Sequence, residues 1–197
     1  MPATVAVNLP KTLRVSEHQF RAIVQANPDL RLELTATGEL IAMSPTGSES
    51  GSYNSELTAD VALWNRRTRL GKVFDSSSGF RLSNGAIRSP DVAWVAMERW
   101  LALSPDQRQG FAPLCPDFVI ELLSATDDVA TLQAKMQEYI DNGCRLGWLV
   151  NPKIRTVEVY RPDVAPETLP FTASLSGESV LPGFELNLHA LLSPEMA

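Results

Sequence analysis

Two carboxylates in this sequence stand among apolar neighbours that make ionisation costly. Glu121 lies inside Phe118-Val119-Ile120-Glu121-Leu122-Leu123, an almost unbroken apolar run of the kind expected for a strand covered on both faces. Asp91 follows Pro90 at the start of the shorter apolar run Val92-Ala93-Trp94-Val95. An isolated carboxylate is tolerated in a dry sheet only if a cation, hydrogen bonds or a metal ion compensate its lost hydration. Side chains i, i+2 and i+4 of a strand share a face, so Asp117, Val119 and Glu121 are expected to point together, and Asp91 on a neighbouring strand could reach the same ion. For a lone buried Glu, a structural ion pair or a strand end open to solvent is the better account.

Two further residues bear on that choice. Lys135 sits roughly 60° from Leu132 at ~100° per residue, at the edge of the apolar stripe of a helix. From there it could snorkel outward or lean over the carboxylates. Glu49, four residues before Tyr53, continues a second apolar stripe into the first turn of another helix. An acid there complements the helix dipole as readily as it serves a site.

Composition narrows the chemistry. With two His (His18, His189) and two Cys (Cys115, Cys144), none closely paired, the 197-residue chain lacks the three or four N/S ligands of a zinc site and the framework of a disulfide scaffold. A metal would have to be held by carboxylates and water, which suits Mg²⁺ or Mn²⁺. The net charge is −6, so bulk electrostatics do not favour nucleic acid, and the one local basic cluster is Arg66, Arg67, Arg69 and Lys72. Its simplest reading is the solvated C-terminal turn of a helix. No apolar run approaches the ~20 residues of a membrane span and no leader is evident, from which a cytoplasmic protein with reduced thiols is expected.

The elements that must position these residues follow from pattern. Ser16-Glu17-His18-Gln19 has the form of a capping box opening a short helix that ends near Asn27-Pro28. Leu30–Leu34 and Glu39–Met43 read as a hairpin, Ser44-Pro45-Thr46-Gly47-Ser48 as a turn, and Tyr53, Leu57, Val61 and Trp64 as the stripe of a helix closed by Gly71. Three strand signals follow, around Val73-Phe74, Gly79–Leu82 and Val92–Val95, with an Asn84-Gly85 hairpin signal between the last two. Residues 97–112 read as a helical or irregular connection. After Glu121, a capped helix runs through Val129, Leu132, Met136, Tyr139 and Ile140 to Gly143, and Leu146–Val150, Thr156–Tyr160 and weaker segments near Phe171 and Phe184 supply further strands. The order predicts an α/β (α+β) fold with a mixed central sheet flanked by helices, preceded by an N-terminal helix and hairpin. A single domain over residues 16–190 is expected, with an extension at 1–15 and a tail at 191–197.

Several of these segments resemble one family. Arg88-Ser89-Pro90-Asp91-Val92-Ala93-Trp94-Val95, Pro116-Asp117-Phe118-Val119-Ile120-Glu121-Leu122-Leu123-Ser124, Lys135-Met136-Gln137-Glu138-Tyr139, Asn142-Gly143 and Trp148-Leu149-Val150-Asn151-Pro152 are similar to the Uma-type restriction-endonuclease family, a divergent branch of the PD-(D/E)XK nuclease superfamily. Gly38-Glu39-Leu40 and Met43-Ser44-Pro45-Thr46-Gly47 resemble its opening hairpin and turn, so the likeness spans roughly residues 16 to 188. It implies a restriction-endonuclease-like fold, with Asp91 as the Pro-Asp metal ligand, Glu121 as the second acid and Glu49 as the acid of the early helix. The superfamily's usual lysine, two residues after the second acid, is Leu123 here. The resemblance implies that Lys135, from the following helix, replaces it.

The implied activity is Mg²⁺- or Mn²⁺-dependent hydrolysis of DNA phosphodiester bonds, with Asp91, Glu121 and Lys135 catalytic and Asp91, Glu121 and Glu49 around the metal. One site per domain makes a homodimer the natural expectation for cutting both strands. A nuclease-fold module that binds DNA or a protein without cleaving is the alternative, favoured by the acidic charge and by Leu123. A structural or toxin-related protein, with Glu121 in a simple ion pair, is a third.

Overall fold

The computed structural model describes residues 13–43 and 46–191. Most of the expected N-terminal extension, residues 192–197 of the tail, and Ser44 and Pro45 of the expected turn lie outside them.

Ser16 caps the first helix, α1 (Glu17–Ala26), through the reciprocal capping box with Gln19, and Asn27 ends it. β1 (Arg31–Leu34) and β2 (Leu40–Met43) form the antiparallel hairpin, turning through Gly38 at φ 81°. α2 (Ser48–Thr68) follows, burying Leu57, Val61 and Trp64. It is closed by Arg69 in the left-handed region at φ 57°, and not by Gly71 as the sequence suggests. Gly71 instead opens β3 (Gly71–Asp75), where a Cβ would collide with the Val95 carbonyl and the Trp94 ring. The glycine marks a close approach between strands, and an arginine accepts the strained cap.

β4 (Phe80–Arg81) and β5 (Ile87–Arg88) flank the Asn84-Gly85 turn and leave the central sheet to join the hairpin in the order β2-β1-β5-β4. β6 (Val92–Ala96) returns to the central sheet. The connection over 97–112 holds two short helices, α3 (Met97–Leu101) and α4 (Pro105–Gln109). β7 (Phe118–Leu122) is buried throughout, α5 (Val129–Asp141) is capped by Asp128, and β8 (Leu146–Asn151) and β9 (Thr156–Tyr160) complete the core. β10 (Glu167–Pro170) lies at the sheet edge, and β11 (Ser174–Ser176) pairs with β12 (Glu185–Asn187) before the last turn, α6 (Leu188–Leu191).

The central sheet is mixed, as expected, in the order β10-β9-β8-β7-β6-β3, with only β7 and β8 parallel. One face packs under α2 and the C-terminal strands, joining Phe118, Ile120 and Leu122 to Trp64, Trp148 and Phe184. The other face packs under α5, joining Val119 and Leu149 to Met136 and Tyr139. The second sheet covers α1 through Phe20, Leu32, Leu34, Leu40 and Ile87. Val129, expected on the apolar stripe of α5, is exposed at the first helical position. Cys115 and Cys144 are buried free thiols, and among the described residues no helix is long and apolar enough to cross a membrane.

The contact at Gly71 sets an expectation for stability. Gly71→Ala should force β3 and β6 apart and lower stability by about 1–3 kcal/mol, the usual effect of overpacking. Urea unfolding checks it, as a lowered midpoint at unchanged slope.

Candidate functional site

Register brings the two expected carboxylates together. β6 runs antiparallel to β7 with Val92 opposite Ile120, and one further step sets Asp91 opposite Glu121. Directly opposed residues of an antiparallel pair share a face, with Cβ atoms ~4.5–5.5 Å apart. Asp91 stands just before the strand. Its Oδ2 accepts from the Leu122 backbone N–H at 2.9 Å and its Oδ1 from Asn54 Nδ2, on α2, at 3.1 Å.

Lys135 leans over the carboxylates. Its Nζ lies 2.8 Å from Glu121 Oε1 and 2.9 Å from Glu33 Oε1, with only 11% of its side chain exposed. The Tyr139 hydroxyl, one helical turn on, donates to the same Glu121 Oε1 at 2.9 Å. Both bonds fall on Oε1, and among the described residues Glu121 Oε2 takes none. Glu33 Oε2 accepts from Arg88 Nη1 at 3.0 Å, and Glu33 Oε1 also accepts from the Ser89 backbone N–H at 2.9 Å. Arg88 donates in turn to Glu138 on α5 at 2.6 Å. The cluster thus joins both sheets and α5.

Electrostatics separates the acids. Burial pushes the Glu121 carboxyl up to about 7; Lys135 opposes the rise, and the charges of Asp91 and Glu33 add to it. Burial also raises Asp91, against the Leu122 N–H and the charges of Lys135 and Arg31. Glu33 is as deeply buried, yet Lys135 and Arg88 together overcome that burial and hold it below its ordinary value. Four carboxylates (Glu33, Asp91, Glu121, Glu138) face three cations (Lys135, Arg88, Arg31) across this cluster.

That excess of negative charge, with hard oxygen donors on Asp91 and on Glu121 Oε2, fits a divalent cation between the opposed pair. Among the described residues no group of three or more His, Cys, Asp and Glu is arranged to hold a metal. Backbone carbonyls, water or a bound phosphate would complete its coordination.

The other expected residues lie elsewhere. Glu49 is exposed in the first turn of α2 and accepts from its own helix, from Tyr53 OH at 3.2 Å. Asp117 is buried, but it binds the Ala96 N–H at 2.8 Å and Arg99 at 3.0 Å. Four residues of strand separate it from Glu121, about 13 Å at ~3.3 Å each. Arg66 and Arg67 form the last turn of α2, and Arg66 is about 18 Å along the axis from Asn54 at ~1.5 Å per residue. Arg69 caps the same helix and Lys72 stands on β3, so the basic cluster lies at and just beyond the helix terminus, away from the carboxylates.

Glu33, Arg88, Asn54 and the Tyr139 hydroxyl were not legible as site residues. Glu33 alternates with leucines and reads as solvent-facing, although Ile41, its cross-strand partner, is apolar on the same face and signals a covered one. Tyr139 lies four residues after Lys135, which places both on one face of a helix.

The shifted carboxyl gives a pH dependence. A folded value of about 7 against 4.5 for the ordinary group means that the folded state holds the extra proton. The contribution of Glu121 is therefore present below pH 4.5 and is lost as pH rises to about 7. In metal-free buffer, denaturation from pH 4.5 to 8 should show the parent losing stability with rising pH relative to Glu121→Gln. Lys135→Met should destabilise by about 3–5 kcal/mol at pH 8, as expected when a buried pair loses one partner, and should recover on acidification.

Three comparisons with known proteins bear on this arrangement. The family model Uma2, described as "Putative restriction endonuclease", matches residues 17–189. Among solved structures the chain is similar to a "putative nuclease belonging to DUF820" from Anabaena variabilis ATCC 29413, at 20% identity and a TM-score of 0.71, over 82% of this chain and 89% of that one. At that identity the likeness speaks for the fold alone. No curated protein matches the chain.

Proposed function

Because the chain belongs to the Uma2 family, we propose that it is a metal-dependent endonuclease that hydrolyses phosphodiester bonds of DNA. The observation that carries this reading is the convergence of Lys135 Nζ on Glu121, 2.8 Å away, beside an Asp91 that the register sets opposite. Asp91 and Glu121 would hold Mg²⁺ or Mn²⁺. Glu49, exposed and bonded only within its helix, would act through water. The bound ion would polarise the phosphoryl group and lower the pKa of a water.

The remaining steps belong to the chain's own residues. An ammonium carries three N–H donors, and Lys135 commits two of them to Glu33 and Glu121. The third is left for the attacking water or for a phosphoryl oxygen, where a fixed positive charge stabilises the negative charge that develops. Tyr139 keeps Glu121 Oε1 occupied, which leaves Oε2 as the oxygen that would hold the ion. Arg88 keeps Glu33 ionised and thereby holds the lysine from its far side. With one site per chain, cutting both strands would call for two copies.

A second reading has an observation of its own. Lys135 is paired with two carboxylates, as a purely structural ion bridge would be, and the chain carries −6 overall. On that reading the fold binds DNA or a protein without cutting.

Plasmid cleavage separates the two. The parent should nick DNA in Mg²⁺ or Mn²⁺ and stop in EDTA, while Asp91→Asn and Lys135→Met should each slow cleavage by about 10²-fold or more. A parent that binds no divalent ion by calorimetry, or an Asp91→Ala variant that cuts at the parental rate, would sink the nuclease reading.

A further inference from the structure

A cavity of about 550 Å³ lies between β1, the N-terminal half of α2 and the turn after β3, lined among others by Arg31, Asn54, Ser55, Thr58, Asp75 and Ser76. Two of its polar atoms, Arg31 Nε and Asn54 Oδ1, are buried without any hydrogen-bond partner. A buried donor and a buried acceptor without a partner in the protein each carry a desolvation penalty that hydrogen bonds from water or from a ligand would remove. The two lie beside the candidate site. Asn54 Nδ2 bonds Asp91 Oδ1, and the positive charge of Arg31 is felt by both Asp91 and Asp75.

The guanidinium is already placed. Arg31 Nη2 donates to the Ser76 carbonyl, which anchors one edge of the fork and leaves Nε–H unpaired. Arg31 and Glu33 are alternate residues of β1 and share a face, so the strand that clamps Lys135 through Glu33 also supplies this cation. The one lining carboxylate, Asp75, has its Oδ1 engaged by the Ser77 N–H at 3.0 Å and the Ser77 hydroxyl at 2.6 Å.

From these features we propose that the cavity is a subsite for one nucleotide of the DNA strand, next to the phosphate that an ion held by Asp91 and Glu121 would bind. Arg31 Nε–H binds its phosphate, the Ser55 and Thr58 hydroxyls line its sugar, and Asn54 Oδ1 accepts from an N–H of its base. A nucleotide offers a phosphate acceptor to Arg31 and base N–H donors to Asn54, beside a site read as cutting DNA, and the cavity, about 550 Å³, is of ordinary small-ligand size, ~300–1,000 Å³. This inference rests on the nuclease reading for its substrate, but not for its test.

The test is binding of a short labelled single-stranded oligodeoxynucleotide by fluorescence anisotropy, with Ca²⁺ in place of Mg²⁺, across a salt series. Arg31→Met should weaken binding about tenfold and flatten the log K against log[salt] slope by ~0.7, the loss of one phosphate contact on a single strand. Arg31→Lys should restore the slope. Ala59→Phe, which adds bulk to the cavity lining from α2 and removes none of the named hydrogen-bonding groups, should weaken binding by a similar factor at unchanged slope. Arg31→Met and Ala59→Phe binding as the parent does, or a parent that binds no oligonucleotide, overturns the subsite. Cleavage is read separately: a parent that cuts DNA while both variants bind normally keeps the nuclease reading and loses the subsite. A parent that binds through Arg31 but never cuts does the reverse.

Discussion

The Lys135 ammonium is the interaction on which the rest of the site depends. It is held between Glu33 of the second sheet and Glu121 of the central one, within 3 Å of each. Removing two carboxylates and an ammonium from water is favourable only when each charge meets its partner at contact distance. The arrangement therefore fixes how the smaller sheet sits on the larger. It also fixes the rotation of α5, because Lys135 and Tyr139 both reach Glu121 while Glu138 reaches Arg88 and Asn84. Apolar contacts bring α5 onto the sheet through Met136 and Tyr139, but such contacts are non-directional. The polar bonds select one orientation.

What the sequence made legible were the features with a local cause. The capping box at Ser16, the hairpin, the buried strand around Glu121 and the helix after it all follow from spacing and residue type, and Lys135 was placed at the edge of its apolar stripe by angle alone. The second sheet was not legible. β4 and β5 are two residues each, and nothing in so short a run says which sheet they join. Glu33 went unseen for the same reason: alternation specifies which residues share a face, but tertiary packing decides whether that face is wet. The Gly71 assignment failed because two physical needs for glycine look alike in sequence. A left-handed cap and a close strand approach both select it, and here Arg69 takes the first while Gly71 serves the second.

The site also carries its own instability. Burial, with the charges of Asp91 and Glu33, pushes Glu121 up to about 7, so near neutral pH the metal-free cluster holds a proton part of the time. A divalent ion would take over that proton's role, binding most readily once Glu121 has lost it. In the proposed nuclease, the ion and the proton would thus compete for the same group.

A lysine carried on a helix, and not on the strand of Glu121, brings a structural requirement. A lysine two residues after Glu121 would share its strand and face, and the sheet itself would limit where the ammonium could go. Here that position is Leu123, a buried residue whose N–H is bonded to the Val150 carbonyl. A lysine on α5 must instead cross from helix to sheet on four methylenes with considerable rotamer freedom. Glu33 supplies the missing constraint from the opposite side, and Arg88 and the Ser89 N–H keep Glu33 ionised and in place. The helix-borne lysine and the buried glutamate of the hairpin are therefore one device: without Glu33 the ammonium would have a single partner and a wider range of positions. The segment Arg88-Ser89-Pro90-Asp91 serves both ends of it, gripping Glu33 with its first two residues and presenting the carboxylate opposite Glu121 with its last.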